Sequence, residues 1–112
     1  MLACSHPIAS SIGIEILKSG GNAVDAAIAM NAVLCIAEPH MTGVGGDCFV
    51  MLSVDGSTNI KALNGSGKSS SNASASALRK NKLTVITPEM PDAITIPGAG
   101  AAWGLLHKEH GY

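Results

Sequence analysis

The chain has 112 residues and a formal net charge of -1; 46% of the residues are hydrophobic, 13% charged and 3% aromatic. That length holds one small domain or a piece of a larger one, and the charged share is about half the roughly 25% usual for a soluble domain. Intrinsic disorder is excluded, because it requires low hydrophobicity and high charge, and without a basic stripe or stacking aromatics a nucleic-acid partner is not expected. The shortage of charge, with a mean hydropathy of +0.31, implies that much of the surface meets other protein. A membrane span needs about 18 or more consecutive apolar residues; the best candidate, Ala23 to Ala37, is interrupted by Asp25 and Asn31. The opening residues lack a positive segment followed by an apolar core, so no signal peptide is read. Cys4, Cys35 and Cys48 are odd in number and widely spaced, which suits a reducing compartment and a cytoplasmic location.

Ser5-His6-Pro7 reads as a helix start, with Ser5 or His6 as the cap and the proline where its missing N–H costs nothing. Ile8, Ala9, Ile12, Ile16 and Leu17 then recur at helical spacing, and Gly20-Gly21 ends the helix. Asn22 caps a second helix, Ala23 to Ala37, with Asp25 near the positive end of its dipole. This helix is apolar all round, which predicts burial, and Pro39 stops it. The glycines of Thr42-Gly43-Val44-Gly45-Gly46 predict a loop with backbone angles closed to other residues. Cys48 to Val54 reads as a buried strand, Asp55-Gly56 as a hairpin turn and Thr58 to Leu63 as the return strand. Asn64 to Asn72 is a Gly- and Ser-rich loop, Ala73 to Lys80 a short helix, and 81–93 a loop containing a short strand. Pro97-Gly98 opens a last helix, Ala99 to His110, closed by Gly111. The fold class is α/β, in the sense of an α+β sandwich: helix, helix, hairpin, loop and a C-terminal helix.

Several chemical motifs are weak here. His107 and His110 share a helix face, but zinc needs three or four converging ligands, and no metal site is read. Gly65-Ser66-Gly67-Lys68-Ser69 invites a phosphate-binding reading, yet that motif places a glycine where Ala62 stands, and the hairpin is antiparallel. Ser5-His6 lacks an orienting acid, and no G-x-S-x-G elbow occurs.

Three stretches together resemble the gamma-glutamyltranspeptidase family. They are Ser5-His6-Pro7 through Leu17-Lys18-Ser19-Gly20-Gly21-Asn22-Ala23-Val24-Asp25-Ala26-Ala27, then Glu38-Pro39-His40-Met41-Thr42-Gly43-Val44-Gly45-Gly46-Asp47-Cys48-Phe49, and finally Ile96-Pro97-Gly98-Ala99-Gly100-Ala101-Ala102-Trp103-Gly104 with His110-Gly111-Tyr112. Their order is similar to the start of the family's large subunit, so residues 1–112 are expected to be an incomplete N-terminal segment of such a domain. The resemblance implies an N-terminal-nucleophile hydrolase with an αββα sandwich, made by self-cleavage of a precursor. In that family the new N-terminal threonine of the small subunit attacks a gamma-glutamyl amide, its own amine serving as base. The acyl-enzyme then passes to water or to an amino acid or peptide, with no metal or organic cofactor. No threonine of this chain matches that nucleophile, so no catalytic residue is expected here and the isolated segment should be inactive. Gly45-Gly46 are expected to make a tight turn and close packing, not an oxyanion hole.

One binding position is implied. The family places an arginine after the second strand that grips the alpha-carboxylate of the glutamyl group, and Lys68 stands there, followed by Ser69-Ser70 in place of Ala-Pro. Lysine keeps the charge but loses the two-pronged contact. Lys68 is the expected substrate contact, with Asn64, Ser66 and Gly67 shaping the loop; a solvated loop lysine is the alternative. The partners implied are the rest of the large subunit, the small subunit and a small gamma-glutamyl donor, with a homo-oligomer of the processed pair left open. Two other readings stand beside this one: an acylase of the same superfamily acting on a dicarboxylic acyl amide, and a non-catalytic interaction or scaffold piece.

Overall fold

Local side-chain chemistry sets the helix boundaries. In the computed structural model, which describes residues 1–112, helix α1 spans Pro7–Lys18 and is capped by His6, whose Nδ1 accepts from the Ile8 N–H at 3.3 Å. Ser5 is drawn away from capping because its hydroxyl donates to Glu38 at 2.8 Å. At the other end Gly20 takes φ +95°, and the amides of Gly20 and Gly21 return to the carbonyls of Leu17 and Ile16. This 5→2, 6→1 pair is a Schellman closure, whose left-handed position favours glycine.

Helix α2, Ala23–Ala37, is started by a capping box between Asn22 at the cap and Asp25 in the first turn. Asn22 Oδ1 accepts from Val24 and Asp25 at 2.8 and 3.1 Å, and Asp25 returns a carboxylate oxygen to the Asn22 N–H at 2.9 Å. The same two residues reach the far end of the chain. Asn22 Nδ2 donates to the His110 carbonyl at 2.6 Å, and the Tyr112 N–H donates to Asp25 at 3.2 Å. Asp25 therefore ties the start of α2 to the end of α4, Ala99–His110. Helices α1 and α2 lie against each other with Gly13 at the contact, where a methyl group would come within 2.7 Å of the Met30 sulfur.

Strands β1, Cys48–Ser53, and β2, Ile60–Gly65, form an antiparallel pair in the register Cys48↔Gly65 to Ser53↔Ile60. Asp55 and Gly56 take positive φ in a turn closed by the Ser57 N–H on the Val54 carbonyl, as a primed hairpin turn requires. The return strand starts at Ile60 instead of Thr58. Ser57 is held by the Ser53 hydroxyl at 2.6 Å and itself accepts from the Asn59 N–H at 3.0 Å, which keeps these residues in the loop. The strand consequently runs on through Asn64 and Gly65, two residues past its expected end. Helix α3 is Ala75–Lys80, starting later than expected because Ser74 is its cap. No strand forms in 81–93; a 3-10 turn at Pro91–Ala93 follows the Thr87–Met90 turn, and Pro88 and Pro91 have no N–H to give to a ladder.

Helix α4 presents Ala99, Ala102 and Leu106, all buried, to the hairpin and α2. Residues Val50, Leu52 and Leu63 of the hairpin are half-buried, whereas Phe49 and Met51 are 68% and 77% exposed on the opposite face. The expected burial of α2 is not met within the chain: Ala26 is its one buried residue and Ile36 is 85% exposed. Only 6 of 112 residues are buried, and the radius of gyration of 17.3 Å exceeds the roughly 13 Å of a compact domain this size. The apolar faces of α2 and the hairpin have no cover inside the chain. We expect the isolated 112-residue chain to bind a hydrophobic dye and to self-associate. A monodisperse, cooperatively unfolding monomer in sedimentation and circular dichroism would contradict this account.

Candidate functional site

Beyond β2 the backbone of 65–68 crosses that of 95–98 at van der Waals distance. Two glycines make the crossing possible, and a third lets α4 pack against the end of β2. A Cβ on Gly67 would overlap the Ile96 carbonyl oxygen, one on Gly98 would overlap that of Gly65, and one on Gly65 would come within 2.5 Å of the Ala102 methyl. Hydrogen bonds then fix the crossing: the Ile96 N–H donates to the Lys68 carbonyl at 2.9 Å, and the Gly67 N–H donates to Asp47 Oδ1 at 2.8 Å. The Thr95 hydroxyl donates to the same carboxylate oxygen at 3.4 Å.

The glycine loop before β1 acts through its carbonyl. Gly46 O accepts from both Gly98 N and Ala99 N, at 3.1 and 3.0 Å, and so satisfies the start of α4, which has no side-chain cap. The expected special backbone angles are absent: the positive-φ glycines are Gly20 and Gly56, and a Cβ on Gly43 or Gly45 meets nothing within 4 Å. The tight turn expected of Gly45-Gly46 forms, with the Gly46 N–H donating to the Gly43 carbonyl at 3.0 Å and a Cβ on Gly46 coming within 3.3 Å of that oxygen; the tighter contacts are at Gly65, Gly67 and Gly98.

The crossing leaves a cavity of about 340 Å³ between the β2 loop, the Ile96–Gly98 segment and one face of α4. Asn64, Ser66, Gly67 and Lys68, the four residues read from the sequence, all line it. Asn64 lies in the strand, not in the loop, and its Oδ1 accepts from the Ser66 N–H at 3.0 Å, which shapes the exit from β2. Lys68 is the one charged residue in the lining, no acidic residue joins it, and it makes no salt bridge with the rest of the chain. Pro97, Gly98 and Ala101 bring the start of α4 into the same wall; the Gly98 and Ala99 amides there are taken by the Gly46 carbonyl, and the helix dipole leaves a partial positive charge at this end. A larger cavity of about 630 Å³, between the start of α2, β1 and the end of α4, has a mostly apolar lining and includes Asp55 and Glu109. His107 and His110 part company, the first 3.7 Å from Asp25 and the second 3.9 Å from Glu109.

Three contributors were not read as site residues in the sequence: Asp47, Thr95 and Gly98. Asp47 carries no local signal for this role, since its partners stand 20 and 48 positions away.

The gamma-glutamyltranspeptidase family model matches residues 9–112. The chain is 40% identical over 111 residues to the glutathione hydrolase-like YwrD proenzyme of Bacillus subtilis, covering 99% of this chain and 21% of that protein. Among solved structures, the cephalosporin acylase of Bacillus halodurans superposes with a TM-score of 0.88 at 37% identity, over 96% of this chain and 20% of that one. The gamma-glutamyltranspeptidase of Pseudomonas nitroreducens, complexed with L-DON, superposes with a TM-score of 0.86 at 29% identity, over 99% of this chain and 33% of that one. The chain belongs to the gamma-glutamyltranspeptidase family, whose members include acylases, and its helices and hairpin are part of the N-terminal-nucleophile hydrolase fold. It spans about a fifth of the length of the Bacillus subtilis relative. No helix is long and apolar enough to cross a membrane.

Because Gly67 and Gly98 have no room for a Cβ, Gly67→Ala and Gly98→Ala should each cost about 1–3 kcal/mol of stability. Gly45→Ala, made where the space is open, should be neutral to within about 0.5 kcal/mol. Thermal unfolding of the three variants in the complete two-subunit protein checks the contrast; equal shifts would disprove the crowding at the crossing.

Proposed function

We propose that this chain is the N-terminal part of the large subunit of a gamma-glutamyl hydrolase or transferase, and that its cavity holds the alpha-carboxylate of the gamma-glutamyl group. The observation that carries this reading is Lys68 as the single charged residue lining a small cavity at the start of α4, with the nearby Asp47 carboxylate engaged by the Gly67 amide. The ammonium supplies a point charge for a carboxylate, and the helix terminus adds to the local positive potential. Family resemblance supports the rest of the chemistry. A threonine at the start of a small subunit attacks the gamma-glutamyl amide, the amine leaves, and water or an amino acid resolves the acyl-enzyme. This chain contributes binding and orientation to that reaction, and no residue of it is assigned the nucleophile.

In the complete two-subunit enzyme, Lys68→Ala should raise KM for a gamma-glutamyl donor roughly ten- to a hundredfold, the value of a charged hydrogen bond. Lys68→Arg should lower KM, because the guanidinium makes two parallel bonds to a carboxylate. Unchanged KM in both variants removes Lys68 from the binding site. Intact mass of the protein from its native source tests the larger claim: a second chain beginning with threonine supports it, and a single 11.3 kDa species refutes it.

A second reading is favoured by two features, the lysine in place of the family arginine with Ser69-Ser70 after it, and the likeness to a cephalosporin acylase. On that reading the donor is a dicarboxylic acyl amide without an alpha-amino group. Parallel kinetics on a gamma-glutamyl anilide and a glutaryl anilide decide the matter: a kcat/KM at least about tenfold higher for one names the donor class.

A further inference from the structure

The side chain of a lysine is long and flexible, so a protein can preset little more than the place and direction of its Cα. At Lys68 both flanks of the backbone are tied. Its carbonyl accepts from the Ile96 N–H at 2.9 Å, and the amide just before it, that of Gly67, donates to Asp47 Oδ1 at 2.8 Å. Gly67 gains from such a tie, since a residue without a Cβ has wide intrinsic backbone freedom. Asp47 also accepts from the Thr95 hydroxyl, and Thr95 precedes the Ile96–Gly98 wall of the cavity. One carboxylate oxygen thus clamps the loop that carries Lys68 to the segment facing it.

The neighbouring residue does the matching work for α4, because Gly46 O receives the first two amides at that helix's N-terminus. Consecutive residues, 46 and 47, therefore hold the two positive elements of the cavity, the α4 terminus and Lys68, in one frame. Asp47 does not line the cavity.

We infer that Asp47 is a positioning residue: its Oδ1 latches the Gly67 amide and sets the backbone from which Lys68 meets the substrate carboxylate. This role rests on the reading of Lys68 as the carboxylate contact. The latch lies at an exposed site, where water can replace the carboxylate at the Gly67 amide. Losing it should therefore loosen Lys68 without unfolding the chain.

The test uses the complete two-subunit enzyme and a gamma-glutamyl anilide. Asp47→Ala should raise KM roughly five- to tenfold with kcat held within about twofold, the size of a lost hydrogen bond expressed in binding. Asp47→Asn keeps the acceptor oxygen and should recover KM to within about twofold of the parent. In a Lys68→Ala background Asp47→Ala should add nothing, because the two residues act through one contact. Amide exchange at Gly67 should accelerate in Asp47→Ala, a readout independent of any substrate. Thr95→Val, which withdraws only the weaker donor, should move KM in the same direction by about twofold, and it carries the test if Asp47→Ala fails to mature. A Gly67 amide that exchanges no faster, an Asp47→Asn as impaired as Asp47→Ala, or full additivity with Lys68→Ala overturns the latch. If Lys68→Ala itself leaves KM unchanged, the carboxylate-site reading falls, and the positioning role falls with it even where exchange shows the hydrogen bond.

Discussion

The backbone crossing of 65–68 over 95–98 is the constraint on which the site depends. Two peptide segments can approach this closely only where side chains are missing, and Gly67 and Gly98 remove the two Cβ atoms that would stand in the way, while Gly65 leaves room for the Ala102 methyl of α4. Once in contact, the segments exchange a backbone hydrogen bond between Ile96 and Lys68, and Asp47 bridges both from the start of β1. Helix α4 begins immediately after the crossing, so its direction follows from the same contact. The cavity is what remains between these pieces, and Lys68 is its charge.

A second tie closes the other end of the molecule. Asn22 and Asp25 each serve two purposes, capping α2 and gripping the end of α4. Amide donors at a helix start need acceptors in any case, so a cap whose remaining hydrogen-bonding atoms reach another helix joins local and tertiary structure with the same residues. That economy gives a physical reason for the Gly-Gly-Asn-Ala-Val-Asp run: the two glycines end α1, the asparagine starts α2, and the aspartate fastens α4. Gly111 belongs to this arrangement, since a Cβ there would come within 2.8 Å of Asp25 Oδ1.

Between the two ties, the apolar side chains have little to pack against. Small residues fill the interior contacts, Ala9, Ala26, Ala99 and Ala102 among them, while the larger ones, Phe49, Met51 and Ile36, point outward. Alanine and glycine permit close approach of helices and strands but bury little area each, so the hydrophobic gain of this chain by itself is small. The composition and the structure agree on this point: low charge and exposed apolar faces are two descriptions of a surface built to meet protein.

Much of this was legible in the sequence because it is local. Helix caps, Schellman glycines and the Asp55-Gly56 turn act over four or five residues, and each was readable from residue type and spacing. Periodicity located α1, while caps and breakers marked α2 and α4 for the same reason, and the quoted motifs indicated the family. What could not be read is what depends on distant partners. The return strand shifted by two residues because Ser53 and Ser57 bond across the hairpin mouth, the glycines that matter for packing proved to be 65, 67 and 98, and α2 is apolar yet uncovered. Asp47 looks like any loop acid until the fold brings Gly67 and Thr95 to it. The sequence by itself determined the elements, their capping and the lysine that carries the charge, since these follow from short-range sterics and hydrogen bonding. Only the tertiary structure decided where that charge sits and what holds it there, because a cavity is made by segments that are far apart along the chain.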